Sequence, residues 1–507
     1  MAIIFAAHHL KYITLSTATT PLRNERLEIV DSQNTRIVAT VGPASSSAEN
    51  LLALTQAGVD IFRLNFSHGT HADHQQVIER IVAMNEKYGT HIGILADLQG
   101  PKLRVGIIKN NELVLKAGEV VTFVNEECEG TKEAIYMSYK HFARDVRVGE
   151  KVLVDDGKMQ FEVVETNGTD RVRLKTLFDG TLSSRKGVNL PNTKISLPSL
   201  TAKDRKDLDY ILTQPVNWIA LSFVRTGKDM KDLRARIEAV GHPAKTIAKI
   251  EKPEAITHID KIIKNSNAIM IARGDLGIEV PIEKMPGLQK MIIRKCIQRA
   301  RPVIVATQMM DSMIVNPTPT RAEVTDVANA VLDGADAVML SGETSVGAHP
   351  IKVVEAMNRI ILEAEQHYSW EGKRPVPSPK SRVFLSDIVC FHAAQTAIDA
   401  QAKAVIGMTN SGYTAFKVSS YRPPNPIYIF SSETTMLNTL SLVWGVRTFY
   451  YDKFTTTDET IDDVVNILRH EELLQEGDVV VNVGSMPIGK RYRANMVKVT
   501  VVDRDMY

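Results

Sequence analysis

The stretch Ile269–Glu279 reads IMIARGDLGIE, an apolar run that ends on a glycine and a carboxylate. It belongs to a set of eight short apolar runs that each end on, or just before, a polar residue. The eight runs are Arg36–Val41, Ile61–Leu64, Ile92–Ala96, Trp218–Phe223, Thr246–Ile250, Ala268–Ala272, Pro302–Ala306 and Ala337–Leu340. Most are followed by a stretch of helical period, which predicts parallel strands joined by helices. Eight such units predict a closed (β/α)8 barrel of the TIM type.

The residues that end these runs are of the types used in phosphate and metal chemistry. They are Gly42, Asn65, Asp97, Ser222, Glu251, Asp275, Thr307 and Ser341. In a (β/α)8 barrel the carboxyl ends of the strands form one face, and active sites lie on that face. The sequence therefore predicts that one site gathers these side chains.

The alternation of strands and helices stops after Asp97 and resumes near Thr201. Between them lie glycine-punctuated runs of period two, which predict a small β-barrel or sandwich. These runs are Glu112–Leu115, Val120–Phe123, Lys151–Val154, Gln160–Glu165 and Arg171–Thr176. Because the insertion follows the third barrel strand, it would overhang the active face and serve as a lid.

A linker rich in proline and lysine, Gly372–Arg382, follows the last barrel helix. Helices and strands then alternate again, which predicts a separate C-terminal three-layer α/β domain. The expected division is an N-terminal extension over 1–34, the barrel over 35–100 and 199–370, the inserted β lid domain over 101–198 and the C-terminal domain over 371–507.

The composition is that of an ordinary soluble globular protein, with 44% hydrophobic and 24% charged residues. A formal net charge of +2 argues against nucleic acid or a membrane surface as a partner. The three cysteines contain no CxxC pair, which argues against a thiolate metal site or a disulfide framework and favours the cytoplasm. No apolar run reaches the ~18 residues of a membrane span, and residues 1–33 are interpreted as an extension, not a targeting segment.

The segment TIAKIEKPEAI places Lys249 and Glu251 two positions apart, on the same side of a strand. Alone, such a pair is usually a surface ion pair. Asp275 ends the next strand in the same register, which favours a functional interpretation. A lysine beside metal-binding carboxylates stabilises charge on a transferring phosphoryl group or on an enolate. The backbone amides at Gly274 and Asp275 would suit a substrate carboxylate.

Arg63 begins RLNFSHG, the segment that follows the second strand. Its planar guanidinium suits a phosphate, and a structural ion pair is the alternative. Asn65 and Ser67 offer neutral oxygens for a cation or a nucleotide phosphate. His68 is a candidate for acid–base chemistry, with a packing role as the alternative. Thr307 would position a water for proton transfer, or would cap a helix.

The chain resembles the pyruvate kinases through motifs that run in family order from about Thr35 to the C-terminal region. The motifs are RIVATVGPAS, RLNFSHG, GPKLR, RKGVNLPN, KIEKPEAI, ARGDLGIE, ATQMMDSM, PTRAEVTDVANAVLDGADAVMLSGET and SYRPPNPI. The resemblance implies a barrel domain, an inserted lid domain and a C-terminal regulatory domain, assembled as a homotetramer. It also implies phosphoryl transfer from phosphoenolpyruvate to ADP, giving ATP and, after protonation of the enolate, pyruvate.

The resemblance assigns roles to residues at the motif positions. Glu251 and Asp275 would ligate Mg²⁺ or Mn²⁺, and Lys249 would stabilise the transferring phosphoryl group and the enolate. Gly274, Asp275 and Thr307 would hold the substrate, with Thr307 near the proton path, while Arg63 and Arg104 would neutralise the phosphoryl group. Four residues are expected near the nucleotide, namely Asn65, His68, Arg104 and Lys186. A second metal ion would bind together with ADP.

The chain departs from the potassium-dependent members of the family at three positions. They carry an acidic residue where this chain has Lys102, and usually Thr-Lys where it has Leu98-Gln99. The other expected potassium ligands, Asn65, Ser67 and Asp97, are retained, and Leu98 occupies the remaining position of this site. An ammonium carries the same charge as potassium and can donate hydrogen bonds directly to these oxygens. We therefore expect that Lys102 replaces the ion, as in the potassium-independent subset of the family.

The segment TNSGYT resembles the phosphate pocket of allosteric relatives. Its candidate effector residues are Thr409, Asn410, Ser411, Gly412 and Thr414. Many relatives carry a basic residue where this chain has Tyr413. The late residues Lys490, Arg491 and Arg493 would supply the charge, or form a solvated loop. A sugar phosphate or a nucleotide is the expected effector class.

Two other functions are compatible with parts of this pattern. A metal-dependent aldolase or lyase that stabilises pyruvate enolate would also use Lys249, Glu251 and Asp275. The lid residue Lys186, together with Arg63 and Arg104, favours a phosphoryl donor and a nucleotide instead. A non-catalytic sensor or scaffold would be expected to have lost one or more of four residues, and none is lost. They are Lys249, Glu251, Asp275 and Thr307.

Overall fold

The structure is a computed structural model that describes residues 33–367, 374–453, 456–486 and 493–503. Its strands, numbered in chain order, are β1 (Arg36–Thr40), β2 (Ile61–Asn65), β3 (Gly93–Asp97), β4 (Leu113–Leu115), β5 (Val120–Val124), β6 (Ile135–Tyr136), β7 (Lys151–Val154), β8 (Met159–Thr166), β9 (Arg171–Thr176), β10 (Gly180–Leu182), β11 (Val188–Asn189), β12 (Trp218–Leu221), β13 (Lys245–Ile250), β14 (Ala268–Ala272), β15 (Val303–Ala306), β16 (Ala337–Leu340), β17 (Ala404–Met408), β18 (Ile427–Ser431), β19 (Val446–Tyr450), β20 (Val479–Gly484) and β21 (Met496–Val501). Most of the predicted extension, together with Lys490 and Arg491, lies outside the described residues.

The described α-helices are Ala48–Gln56, His71–Tyr88, Phe142–Asp145, Ala202–Ile211, Gly227–Ala239, Pro253–Thr257, Ile259–Asn265, Arg273–Glu279, Met285–Gln298, Arg321–Asp333, Gly342–Ser345, Pro350–Gln366, Phe384–Asp399, Tyr413–Ser420, Thr434–Leu440 and Thr457–His470. Short 3₁₀ turns span Lys109–Asn111, Ile282–Lys284 and Asp311–Ile314. Threonine begins several of the longer helices, and at Thr70, Thr201, Thr226 and Thr320 it forms a capping box with an acidic third residue. No described helix combines the length and the apolar character needed to cross a membrane.

The predicted (β/α)8 barrel is confirmed. Eight parallel strands close in the order β1-β16-β15-β14-β13-β12-β3-β2. One set of their side chains fills the interior of the barrel, including Val38, Trp218 and Met270. The alternate set, including Ile37, Ile219 and Ile271, packs against the surrounding helices. Because both faces of each strand are buried, these segments are predominantly apolar, which is the pattern that identified them.

The inserted segment forms a six-stranded mixed sheet in the order β11-β7-β8-β9-β5-β6, beside a two-stranded sheet of β10 and β4. All five predicted runs are strands. Three further strands of two or three residues, β6, β10 and β11, are too short to show a period in the sequence. The sheet surrounds one apolar core that includes Phe123, Phe142 and Phe161. This compact β unit fits the predicted lid.

The C-terminal region has a five-stranded sheet in the order β19-β18-β17-β20-β21, parallel except for the antiparallel edge strand β21. One apolar cluster includes Cys390 and Val418 from the helices Phe384–Asp399 and Tyr413–Ser420. A second cluster includes Val465 from the helix Thr457–His470. Helices that cover both faces of the sheet give the predicted three layers.

The C-terminal sheet domain packs against the amino-terminal ends of the barrel strands. Trp218, the first residue of β12, donates from Nε1 to the Thr439 carbonyl at 3.1 Å. Arg422 is fully buried, and its guanidinium lies 2.9 Å from the Asp336 carboxylate just before β16. The carboxyl ends of the barrel strands lie at the opposite end and remain free to form a site.

Candidate active site

Lys249, in β13, is the centre of a buried cluster at the carboxyl end of the barrel. Its Nζ lies 2.9 Å from Glu251 Oε1 and 3.3 Å from Asp97 Oδ1. It also donates to Ser222 Oγ at 2.8 Å. The side chains of Lys249, Asp97 and Glu251 are 12%, 1% and 2% exposed. The alternative interpretation of Lys249 and Glu251 as a surface ion pair is therefore wrong, because the pair is buried.

The charges of the cluster hold one another in place. Burial lowers the pKa of the Lys249 ammonium, but the Asp97 and Glu251 carboxylates outweigh it, so that pKa is raised above its usual range. Burial raises the pKa of the Asp97 carboxyl, but Lys249 and Arg63 outweigh it, so that pKa is lowered. The cluster therefore keeps a lysine cation and an aspartate anion together in a dry site, where electrostatic stabilisation is strongest.

Arg63, near the end of β2, joins the same cluster. Its Nε donates to Asp97 Oδ2 at 2.7 Å and its Nη1 donates to Thr40 Oγ1 at 2.9 Å. No further hydrogen bond of its guanidinium is found within the described ranges, so the side chain is oriented and keeps donor capacity. Both sequence interpretations of Arg63 are thus compatible with the structure, since an arginine held by an ion pair can still offer donors to a phosphate.

Glu251 and Asp275 are the candidate metal ligands. Burial raises the pKa of the Glu251 carboxyl, Lys249 opposes that rise and Asp275 adds to it. Two carboxyl groups that repel each other at a desolvated site are stabilised by a cation. Across the described ranges no group of three or more His, Cys, Asp or Glu side chains is arranged to hold a metal ion. A site of two carboxylates completed by substrate oxygens suits Mg²⁺, which seldom uses an all-protein cage.

Thr307 contacts the segment that carries Asp275. The Gly274 N–H donates to Thr307 Oγ1 at 2.7 Å, and that hydroxyl donates to the Ala306 carbonyl at 2.6 Å. Thr307 has a φ of 71°, a conformation that costs a threonine about 1–3 kcal/mol. Its hydroxyl thus caps the helix Arg273–Glu279 from a neighbouring strand, so part of the capping interpretation is realised at the site itself.

The loop after β2 brings Asn65 and Ser67 together, since Asn65 Oδ1 accepts from the Ser67 N–H at 3.1 Å. The Lys102 side chain is exposed and has no hydrogen-bond partner among the described residues. The direct hydrogen bonds predicted from Lys102 to the retained oxygens are therefore not formed in this structure. Asp97, the buried member of that set, is instead occupied by Arg63 and Lys249.

His68 is exposed but still partly covered by its neighbours, so the packing role favoured from the sequence stays a prediction. Burial lowers the pKa of His68, and the charges of Lys102, Arg104 and Arg63 lower it further. These three cations make the surroundings of His68 electropositive. A neutral imidazole in such a region can donate a hydrogen bond to an anionic substrate.

The lid residues are engaged within the lid in this structure. Arg104 Nη1 donates to the Arg185 carbonyl at 2.9 Å. Lys186 Nζ lies 3.0 Å from Asp155 Oδ1, with 37% of the lysine side chain exposed. Each side chain keeps further N–H donors beyond these contacts, as Arg63 does.

Several residues of the site were not assigned roles from the sequence. Thr40 orients Arg63, and Ser222 accepts from Lys249. The Phe223 N–H donates to Glu251 Oε2 at 2.8 Å from a backbone with a φ of 53°. Arg273 donates to the Thr307 carbonyl at 2.9 Å. Ser222 was placed at the site from the sequence because it ends an apolar run, although no role was assigned to it. The other three depend on loop geometry and side-chain contacts that no local pattern reports.

A second concave site lies in the C-terminal sheet domain. It is a cavity of about 360 Å³ bordered by the predicted effector segment and by Lys453 and Arg493. The Gly412 N–H donates to Thr409 Oγ1 at 2.9 Å, which closes the turn before the helix Tyr413–Ser420. The Tyr413 hydroxyl donates to the Asp387 carboxylate, and the Arg493 guanidinium lies 5.8 Å from the centre of the Tyr413 ring.

Comparison with profiles of known families shows which proteins this chain is similar to. The profile described as "Pyruvate kinase, barrel domain" matches residues 32–354. The profile described as "Pyruvate kinase, alpha/beta domain" matches residues 387–500. Together they cover both the barrel with its insertion and the C-terminal sheet.

Individual relatives agree over nearly the whole chain. A pyruvate kinase of Corynebacterium efficiens is 42% identical, over 93% of this chain and 98% of the relative. A pyruvate kinase of Agrobacterium vitis is also 42% identical, over 93% of this chain and 99% of the relative. The crystal structure of a pyruvate kinase from Cryptosporidium parvum is 34% identical, with a TM-score of 0.87, and covers 95% of this chain and 98% of that chain.

Proposed function

This chain belongs to the pyruvate kinase family, and from that premise we propose that its buried Lys249 cluster carries out the family reaction. The reaction transfers the phosphoryl group of phosphoenolpyruvate to ADP and then protonates the enolate to pyruvate. The observation that carries the assignment of roles is the contact of Lys249 Nζ with Glu251 at 2.9 Å and with Asp97 at 3.3 Å. A fixed cation in a dry site stabilises negative charge where it develops, without reorganisation during the reaction.

The proposed role of each side chain follows from its contacts and its motif position. Lys249 would face the transferring phosphoryl group and then the enolate oxygen. Arg63, oriented by Asp97 and Thr40, would bind the phosphoryl oxygens, joined by Arg104 from the lid. Gly274 and Asp275 would hold the substrate carboxylate. Thr307, whose hydroxyl is fixed by Gly274, would orient the proton donor to the enolate carbon.

Glu251 and Asp275 would hold a Mg²⁺ or Mn²⁺ ion together with the substrate. When bound, this ion supplies Lewis-acid stabilisation of the substrate oxygens. Asn65, His68 and Lys186 would face the nucleotide, with a second ion entering together with ADP. Phosphoryl transfer of this kind depends on positioning and charge and needs no covalent intermediate.

We further propose that Lys102 makes the enzyme independent of potassium. The positive charge of Lys102 acts on His68, the residue that follows Ser67 in the chain. Its side chain has no hydrogen-bond partner in the described part of the chain, so it is available to contact the substrates or the retained oxygens once the lid and loop close. A single positive charge at this place would supply what potassium supplies in other members.

The remaining proposals concern assembly, regulation and location. The cavity of about 360 Å³ beside Thr409 and Ser411, with Lys453 and Arg493 at its border, would bind a phosphorylated effector such as a sugar phosphate or a nucleotide. A homotetramer in the cytoplasm is expected from the family.

The test is pyruvate formation from phosphoenolpyruvate and ADP with Mg²⁺, in a tetramethylammonium buffer free of potassium and again after potassium is added. Strong activity that potassium leaves unchanged supports both proposals. Activity that appears only with potassium would retain the reaction and reject the role of Lys102. Absence of activity from folded protein in both buffers, with sugar phosphates present, would favour the lyase or the scaffold instead.

A further inference from the structure

Glu279 joins three parts of the molecule that the reaction needs at one place. It is the last residue of the helix Arg273–Glu279, whose first turn carries Gly274 and Asp275. Its Oε1 lies 2.5 Å from the Nζ of Lys252, the residue next to Glu251. The same oxygen accepts a hydrogen bond from Asn189 Nδ2 of the lid at 3.0 Å.

The geometry points to Glu279 as a positioning residue, and we propose that its contact with Asn189 couples the position of the lid to the metal-binding end of the barrel. Lys252 and Glu279 tie together the two segments that carry Glu251 and Asp275. Asn189 lies in β11, three positions after Lys186, the lid lysine assigned to the nucleotide. This inference rests on the proposed function and adds a residue to it that touches neither substrate nor metal.

The burial of the pair makes the coupling strong. The side chains of Lys252 and Glu279 are 7% and 1% exposed. A buried ion pair holds its geometry because separating the charges leaves each of them desolvated and without a partner. A lid that hydrogen-bonds to such a pair therefore contacts a fixed point of the barrel, and a hydrogen bond to a charged acceptor is stronger than a neutral one.

The hydrogen bond from Asn189 can be removed without breaking the ion pair between Lys252 and Glu279. Both donors converge on Oε1, while Oε2 is buried and has no hydrogen-bond partner in the described part of the chain. Replacing Asn189 by alanine therefore removes the lid contact and leaves the Lys252–Glu279 pair intact. Other interactions hold the lid to the barrel, since Arg225 Nη2 donates to the Leu197 carbonyl at 2.7 Å. Asn189→Ala is thus expected to loosen the lid without detaching it.

The matched control is Asn125→Ala. Asn125 is also a lid asparagine whose Nδ2 donates hydrogen bonds, but its acceptors are the carbonyls of Lys140 and Thr169 within the lid. A general effect of weakening the lid would appear in both variants. An effect of lid position on the barrel would appear in Asn189→Ala alone.

The experiment measures KM for ADP, KM for phosphoenolpyruvate and kcat, together with a fluorescence titration of N-methylanthraniloyl-ADP. For Asn189→Ala we expect KM for ADP and the Kd of the fluorescent nucleotide to rise about tenfold, as loss of a hydrogen bond to a charged group implies. We expect kcat and KM for phosphoenolpyruvate to change less than about twofold, because Gly274, Asp275 and Thr307 keep their contacts. An effect of Asn189→Ala equal to that of Asn125→Ala would overturn the coupling.

Glu279→Gln supplies the second measurement. It leaves Lys252 buried without an anionic partner, so its folding is first checked by circular dichroism. Its Mn²⁺ affinity without nucleotide, read from the electron paramagnetic resonance of free Mn²⁺, should weaken. That of Asn189→Ala without nucleotide should not change, because the Lys252–Glu279 pair stays intact. Adding Asn189→Ala to a folded Glu279→Gln should raise KM for ADP less than it does alone, since contacting residues are not additive. Full additivity would overturn the inference.

The proposed function and this inference fail in different ways. If the wild-type chain forms no pyruvate but binds the fluorescent nucleotide, and Asn189→Ala weakens that binding, the reaction is wrong and the coupling stands. If the wild-type chain is active and Asn189→Ala matches the control in both assays, the reaction stands and the coupling is wrong.

Discussion

The N–H of Gly274 donates a hydrogen bond to the hydroxyl of Thr307 across the ends of two neighbouring barrel strands, at 2.7 Å. The contact joins the helix that carries Asp275 to the strand end assigned to proton transfer. It is made from a Thr307 backbone with a φ of 71°, where a β-branched residue is strained. The position of the hydroxyl is therefore maintained against a local cost, as is common at functional sites.

Thr307→Val should lower kcat by about 100-fold, the contribution of a positioned proton-transfer group. The substitution removes the hydroxyl and keeps the shape of the side chain. Thr307→Ser is the matched control and should recover most of the activity. The measurement is kcat for pyruvate formation, with exchange of the pyruvate methyl protons followed by NMR. A valine variant that exchanges these protons at the wild-type rate would show that the hydroxyl is not needed.

Lys249→Met should lower kcat by about 100- to 1000-fold, the range seen when a preorganised electrostatic group is removed. The substitution also leaves Asp97 and Glu251 buried without their shared cation, so circular dichroism must first establish that the variant folds. Lys295→Met serves as the control, since Lys295 pairs with Asp260 on the surface at 2.9 Å. Comparable losses in the two variants would remove Lys249 from the reaction.

Lys102→Glu should make the activity dependent on added potassium, because it removes the proposed substitute for the ion and introduces the acidic residue expected in potassium-dependent members. The comparison is pyruvate formation with and without potassium, at constant ionic strength set by tetramethylammonium. Lys109→Glu, at another exposed lysine of the insertion, is the control for the change of charge. If the Lys102 variant stays equally active without potassium, the lysine does not replace the ion.

Arg422→Met should destabilise the fold by about 3–5 kcal/mol, because it leaves the Asp336 carboxylate buried without its partner. The guanidinium also lies 4.7 Å from the centre of the Trp444 ring and donates to the Gly334 carbonyl at 2.9 Å. Thermal unfolding should show a clearly lower Tm. Lys498→Met breaks the exposed pair with Asp458 and should change stability by about 0–1 kcal/mol. Equal shifts in the two variants would contradict the assignment of Arg422 as an interdomain anchor.

The stability of the fold should fall between pH 6.5 and pH 4 partly through His91. Burial lowers the pKa of His91 to about 4, although the side chain of Asn438 acts in the opposite direction. Over this range the unfolded chain gains a proton that the folded chain does not bind, so stability is complete above pH 6.5 and is lost as the pH falls. The loss from one such group is at most about 1.4 kcal/mol per pH unit.

His91→Gln should therefore show a smaller decrease in Tm between pH 7 and pH 5 than the wild-type chain. The exposed His470, replaced in the same way, is the control. A decrease in Tm that is identical in the wild-type chain and in both variants would show that His91 does not contribute.

The barrel was predictable because its strands are buried on both faces and its helices are amphipathic, so each unit carries a local pattern. The predicted run Ala268–Ala272 coincides with β14, and Ala337–Leu340 coincides with β16. The missed strands of the insertion are two or three residues long, and pairing with distant neighbours defines them. Gly180 of β10, for example, pairs with Leu115.

The site was predictable to a similar extent and for a related reason. The ends of parallel strands meet at one edge, so residues such as Lys249, Glu251 and Asp97 could be placed together without knowing any distance. Contacts made by the loops were not predictable, as Lys102 illustrates. Its charge suggested direct hydrogen bonds to Asp97, but the structure gives that carboxylate to Arg63 and Lys249.

The insertion separates two barrel strands that are neighbours in space. The hydroxyl of Ser222 donates to the Leu98 carbonyl at 2.7 Å, although the two residues are 124 positions apart in the chain. Closing the barrel at β3 and β12 therefore requires a long loop to be brought together during folding. The free-energy cost of closing a loop, which is entropic, falls by about 0.6 kcal/mol each time the effective loop length is halved. A lid that folds first on its own core would shorten that loop, so the order of folding along this chain should run from the inserted unit to the barrel that holds it.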